Sequence, residues 1–220
     1  MSEASGSLGA ILDSAHALVE SGRDREALAV LDAARDQLAN PSERALVLGQ
    51  MAAIRAARGD VAGALADHEA EIRIYDELGD RHARAITLVA VARLGAAGGD
   101  LDGAFALLAE TLPTFRELGD ADGTANTLWA LAKVEIALER YQEAFDHLSD
   151  SYRINQKLDR LDGITFVGVD LGQLLHAAGE LDEALAVLTR SRDGFVRLGH
   201  PDLAQKTQDV IDELFGAPGR

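Results

Sequence analysis

The chain contains no cysteine, so it can hold neither a disulfide framework nor a thiolate metal centre. Proline occurs 4 times in 220 residues and aromatic residues make up 5%. That leaves little of the β-branched and aromatic material from which sheets are built. Basic residues are scarce too. Lys and Arg number 21 against 37 Asp and Glu, a net charge of −16. Nucleic acid and anionic membrane require a basic footprint, so neither is the expected partner. No apolar run reaches the length of a membrane span. The first apolar stretch, Leu8 to Val19, is interrupted by Asp13 and His16 and follows no basic segment. A cleaved leader is therefore not expected, and cytoplasmic residence is the default expectation.

What the chain does have is alanine and leucine, 39 and 32 of them. Both are strong helix formers. Their placement is periodic. Leu38, Leu78, Leu118, Leu158 and Leu198 stand 40 residues apart, and Ala64, Ala104, Ala144 and Ala184 keep the same step. Gly59, Gly99 and Gly179 keep it as well, with Glu139 in the missing place. Several columns held in register over four periods mark an internal repeat.

Each period reads as two helices. Within Asp60–Leu78 the apolar residues Val61, Ala64, Leu65, Ile72, Tyr75 and Leu78 fall at helical spacing, and Leu88, Val91, Ala92 and Gly95 do so in the next half. Asn40, Asp80 and Asp120 share one column, where a cap satisfies the first free N–H groups of a helix. Pro41 and Pro201 fall one position later, where a missing N–H costs nothing. The glycine column falls where a helix ends in a left-handed residue. The loops are short, so successive helices are expected to be antiparallel neighbours. Ala52, Ala92, Ala132 and Gly172 on the first helices, and the Ala64 column on the second, would let two backbones approach closely.

This pattern resembles the tetratricopeptide repeat family. The resemblance rests on the small residue of the first helix, the Gly-Asp turn and the Ala five residues after that Gly, and it covers residues 8–215. The period of 40 exceeds the family's usual ~34 and resembles its longer variety, whose units end in Leu-Gly-Asp. The resemblance implies an all-α fold, a right-handed superhelical solenoid of antiparallel helix pairs. Five units are expected at about 8–39, 42–78, 82–118, 122–158 and 162–198. A polar-faced capping helix follows at 202–215, with flexible tails at 1–7 and 216–220. Residues 8–215 would form a single domain. The first unit is irregular, because its Gly22-to-Leu38 interval is shorter than its later counterparts.

Chemistry-bearing motifs are few. Asp100-Leu-Asp-Gly and Asp120-Ala-Asp-Gly look like calcium-loop fragments, but the twelfth positions hold Thr111 and Leu131 where the loop needs Glu. Both read as helix caps. The histidines His16, His68, His82, His147, His176 and His200 form no metal-ligating pair on one helix face, so no metal and no cofactor are expected. No nucleophile elbow, phosphate loop or dinucleotide fingerprint occurs, and the chain reads as a non-enzyme. Pro113 lies inside an expected helix, where it removes one backbone bond.

In the resembling family the first helices line the concave face. By that implication the candidate groove comprises Ile86, Val89 and Arg93, then Asn126, Trp129 and Lys133, then Phe166, Val169, Gln173 and His176. Trp129 beside Lys133, with Arg93 one unit earlier, is the kind of aromatic and cationic cluster that anchors interfaces. Trp129 packing against the adjacent repeat is the alternative. The expected function is a scaffold or adaptor that binds a peptide or protein segment of apolar and acidic character. A regulatory sensor acting on a transcriptional or signalling partner is the alternative.

Overall fold

The computed structural model describes residues 8–216. The tails expected at 1–7 and, apart from Gly216, at 216–220 lie outside the described residues. Among those residues there are eleven α-helices and no strand. They are α1 (Leu8–Glu20), α2 (Asp24–Arg35), α3 (Pro41–Ala57), α4 (Val61–Leu78), α5 (Arg81–Ala97), α6 (Leu101–Leu118), α7 (Ala121–Ala137), α8 (Tyr141–Lys157), α9 (Leu161–Ala177), α10 (Leu181–Arg197) and α11 (Pro201–Phe215). From α3 onward the helices pair in the expected register. In the irregular first unit α2 ends early, after 12 residues. Among the described residues no helix is long and apolar enough to cross a membrane.

The punctuation has the expected chemistry. The side-chain oxygens of Asn40, Asp80 and Asp120 accept from the N–H groups of Ser42, Ala83 and Gly123, each at 2.9 Å. Asp60 and Asp100 do the same for Gly63 and Gly103 at 3.0 Å. The acidic turn residues are therefore caps. Gly59, Gly99 and Gly179 all have positive φ, and Glu139 adopts the same left-handed conformation at φ 60°. Helix α6 runs through Pro113, which is exposed.

Packing divides the chain into two compact units, one up to Leu107 and one from Leu108 on, with the division inside α6. In the first unit α1 packs on α2, α2 on α3, α3 on α4 and α4 on α5. Ala27, Leu31, Val47 and Met51 form a core there. Arg55 of α3 meets Asp67 of α4 in an ion pair. Burial raises the pKa of Asp67, and Arg55 opposes that shift.

In the second unit α7 packs on α8, α8 on α9, α9 on α10 and α10 on α11. Its core joins Ala132, Ala144, Leu148, Val167, Leu171 and Ala184. Every member of both small-residue columns is buried. At Gly172 the approach is so close that a Cβ would stand 2.6 Å from Cγ of Leu188 and 3.4 Å from the Ala184 carbonyl oxygen. Ser151 of α8 donates to the Ala125 carbonyl of α7 at 2.8 Å. Glu135, 2% exposed, pairs with Nδ1 of His147 at 2.7 Å.

Candidate functional site

The first helices place their candidate residues in two groups, one in each unit. In the first unit, Ile86 and Arg93 of α5 line one wall of a cleft of about 460 Å³. Leu46, Gln50 and Ala53 of α3 form the other wall, and His68 and Glu71 of α4 also line it. Leu46 and Ile86 occupy equivalent positions of successive repeats and keep 49% and 52% of their surface exposed. Val89 is buried and presents almost no surface. Arg93 keeps an exposed surface, yet the protein around its guanidinium withholds enough water to lower its pKa from the ordinary arginine value. A cation lining a cleft combines both properties, because it is surrounded by protein without being sealed by it.

The α4 side of this cleft is polar and internally satisfied. Nδ1 of His68 stands 2.8 Å from Oε2 of Glu71, and both residues are buried. Burial, and the negative charge of Glu71 nearby, push the Tyr75 pKa up to about 12. Glu71 lies against Gly49, where a Cβ would meet Oε1 at 3.0 Å. The glycine thus lets the carboxylate sit on the α3 backbone.

In the second unit the group is built around Trp129, which is half-buried between α7 and α9. Its indole N–H donates to Oδ2 of Asp170 at 2.7 Å, and its ring tilts against Phe166 with centroids 6.1 Å apart. Phe166 in turn stands edge-on to Phe195 of α10 at 4.9 Å. Nζ of Lys133 lies 5.6 Å from the Trp129 ring centroid and 3.9 Å from the same Asp170 oxygen. Trp129, Lys133 and Phe166 are therefore brought together. The carboxylate beside Lys133 is the protein's own.

Asn126 and Gln173 are exposed and Val169 is half-buried. His176 serves the C-terminal helix: its Nε2 lies 3.1 Å from the Leu214 carbonyl oxygen, and its ring stands edge-on to Phe215 at 5.0 Å. The sequence reading missed Asp170, Leu46, Gln50 and Ala53. Leu46 and Ala53 could have been found by stepping back one period of 40 from Ile86 and Arg93, and Gln50 lies one helical turn after Leu46. Among the described residues no group of three or more His, Asp and Glu side chains is arranged to hold a metal ion.

A tetratricopeptide repeat family model matches residues 96–157. No curated protein matches the chain in sequence. Solved structures match almost throughout. The chain is similar to aspartyl phosphate phosphatase F from Bacillus subtilis, with 10% identity, a TM-score of 0.84, and coverage of 96% of this chain and 56% of that one. It is similar to a Rap protein complexed with competence and sporulation factor, with 14% identity, a TM-score of 0.81, and coverage of 98% and 62%. It also resembles PlcR from Bacillus thuringiensis, solved with the peptide PapR7 and DNA, with 16% identity, a TM-score of 0.70, and coverage of 91% and 73%. The chain thus spans less than two thirds of the first two. Residues 96–157 carry tetratricopeptide repeat sequence, and the chain as a whole has the all-α fold of helix pairs of these TPR-like proteins.

Proposed function

We propose that the chain is a non-enzymatic interaction scaffold, residues 8–215 working as one repeat array that binds a polypeptide segment along its first helices. The observation that carries this reading is the α3–α5 cleft. There, equivalent aliphatic residues of successive repeats stay exposed beside a partly dehydrated arginine. The repeat family and the peptide-bound structures that share the fold support it. Fold alone does not assign a function, so the residues must be tested. Ile86→Asp places a charge in the cleft at an exposed position, and it should abolish capture of partner segments without changing the melting temperature. Capture that survives the substitution would remove the cleft from the function.

The second reading is a regulatory sensor, in which a bound segment alters action on a transcriptional or signalling partner. Two similar proteins of this fold were solved with a bound factor or peptide, one of them also on DNA, which favours it. For this chain the net charge of −16 opposes direct contact with nucleic acid. Its partner on this reading is a protein.

A further inference from the structure

We propose that the groove between α8 and α10 is a site for a small monocarboxylic acid with an aromatic or bulky aliphatic body, the body resting on α9 and the carboxylate on Arg190. The groove is built from the second helices of the second unit, so the proposal does not depend on the α3–α5 cleft.

The groove has a volume of about 360 Å³, within the range of roughly 300–1,000 Å³ typical of small-molecule sites. Leu171 and Leu175 of α9 form its floor, with Phe145 of α8 and Val187 of α10 beside them. These residues belong to the core of the unit or pack against it. The floor is therefore the core's own surface, reached where α8 and α10 part, and covering it favours an apolar ligand body.

The α8 wall carries polar groups that the repeat does not require. Tyr152 is 8% exposed and lines the groove. Its ring settles on α9 at Gly168, where a Cβ would stand 3.2 Å from its Cε2. The same column holds Ile72 and Leu112 in earlier repeats, so packing asks only for an aliphatic side chain there. Among the described residues the Tyr152 hydroxyl has no hydrogen-bond partner. It is satisfied only from the groove, by water or by a ligand. Ser149 and Gln156 line the same wall, and their side chains have no partner among the described residues either. The wall thus offers several donors to an acceptor-rich ligand.

The charges set how many negative charges the ligand carries. Arg153 lines the groove but is committed to Asp150 at 2.7 Å. Arg190 makes no ion pair or hydrogen bond among the described residues. It stands in the column that holds Glu110 and Asp150 in earlier repeats, so its sign is a departure of this unit. The same register sets Arg190 level with Asp150, two residues from Tyr152. One uncommitted guanidinium matches one carboxylate, which it can bind through two parallel N–H···O bonds. Glu183 lines the groove two turns before Arg190, about 10 Å away along α10 at the helical rise. It repels a second negative charge and disfavours a phosphate dianion. The carboxylate is thereby held to the Arg190 end, and the apolar body fills the space between.

The test uses small probes on the full chain, followed by amide chemical shifts in an isotope-labelled sample. The probe is 3-phenylpropanoate. Its amide lacks the charge, acetate lacks the body, and phenyl phosphate carries a second charge. The acid should saturate shifts at Ser149, Leu171 and Ala186 and bind at least about tenfold more tightly than the other three. Arg190→Gln should erase its advantage over the amide. Tyr152→Phe keeps the ring and should weaken the acid several-fold without lowering the melting temperature. Equal affinity of acid and amide would overturn the carboxylate role, and equal affinity of acetate would overturn the apolar body. Tighter binding of phenyl phosphate would overturn the single charge in favour of a phosphoryl group. Absence of binding, or shifts confined to residues outside the groove, would overturn the site and leave the scaffold reading untouched.

Discussion

Asp170 ties down Trp129. One carboxylate oxygen of α9 accepts the indole N–H of α7 at 2.7 Å and also faces Nζ of Lys133 at 3.9 Å. A hydrogen bond to a charged acceptor contributes about 2 kcal/mol, whereas an exposed ion pair at that separation contributes under about 1 kcal/mol. Asp170→Ala should therefore destabilise by about 2 kcal/mol, and Lys133→Ala should be nearly silent. The chain has a single tryptophan, so its fluorescence anisotropy reports the tether directly and should fall in Asp170→Ala. Unchanged anisotropy would mean that the ring is held by its packing and not by the hydrogen bond to Asp170.

The small-residue columns make a stability prediction. Ala144 is fully buried in the second unit. Ala144→Leu adds three carbons to a close crossing and should cost roughly 1–3 kcal/mol by overpacking. Denaturant unfolding measures it, and a wild-type midpoint would show that the crossing is loose.

These columns explain how much of the fold was legible. A position that must be small in every unit leaves a periodic trace, and so do the Asp caps and left-handed glycines, because each answers a backbone requirement that recurs. The site was less legible because its contacts are particular to single units. Asp170 occupies the column of Gln50, Ala90 and Ala130, so nothing periodic announces it. Its role depends on Trp129 standing one period before the neighbouring position. Val89 lies on the predicted stripe, yet it is buried, because a stripe drawn from spacing alone does not show where the neighbouring helix covers it.

Glu139 stands in the glycine column with φ 60°. A side chain in the left-handed region costs roughly 1–2 kcal/mol, and glycine relieves that cost while adding flexibility to the unfolded chain. Glu139→Gly should stabilise by up to about 1 kcal/mol, seen as a higher melting temperature. A loss of stability would show that the glutamate side chain makes a contact worth more than the strain.

Tyr75 supplies the pH dependence. Its folded pKa is raised to about 12, above the ~10 of an unfolded tyrosine. The folded state therefore holds this proton more tightly. The contribution is fully present below pH ~10 and is lost as pH rises through 12. Tyr75→Phe has no proton to lose, so its helicity by circular dichroism should fall less steeply over that interval. Parallel alkaline curves would show that the hydroxyl does not titrate with unfolding.

The central claim is that the first helices bind a polypeptide segment, and calorimetry on peptides selected from a random display library against the wild-type chain tests it most directly. Selected peptides should bind wild type with measurable heat and lose at least tenfold in affinity against Ile86→Asp or Leu46→Asp, whose side chains line the cleft. Peptides that bind both variants as tightly as wild type would contradict the account and place the interaction outside the α3–α5 cleft.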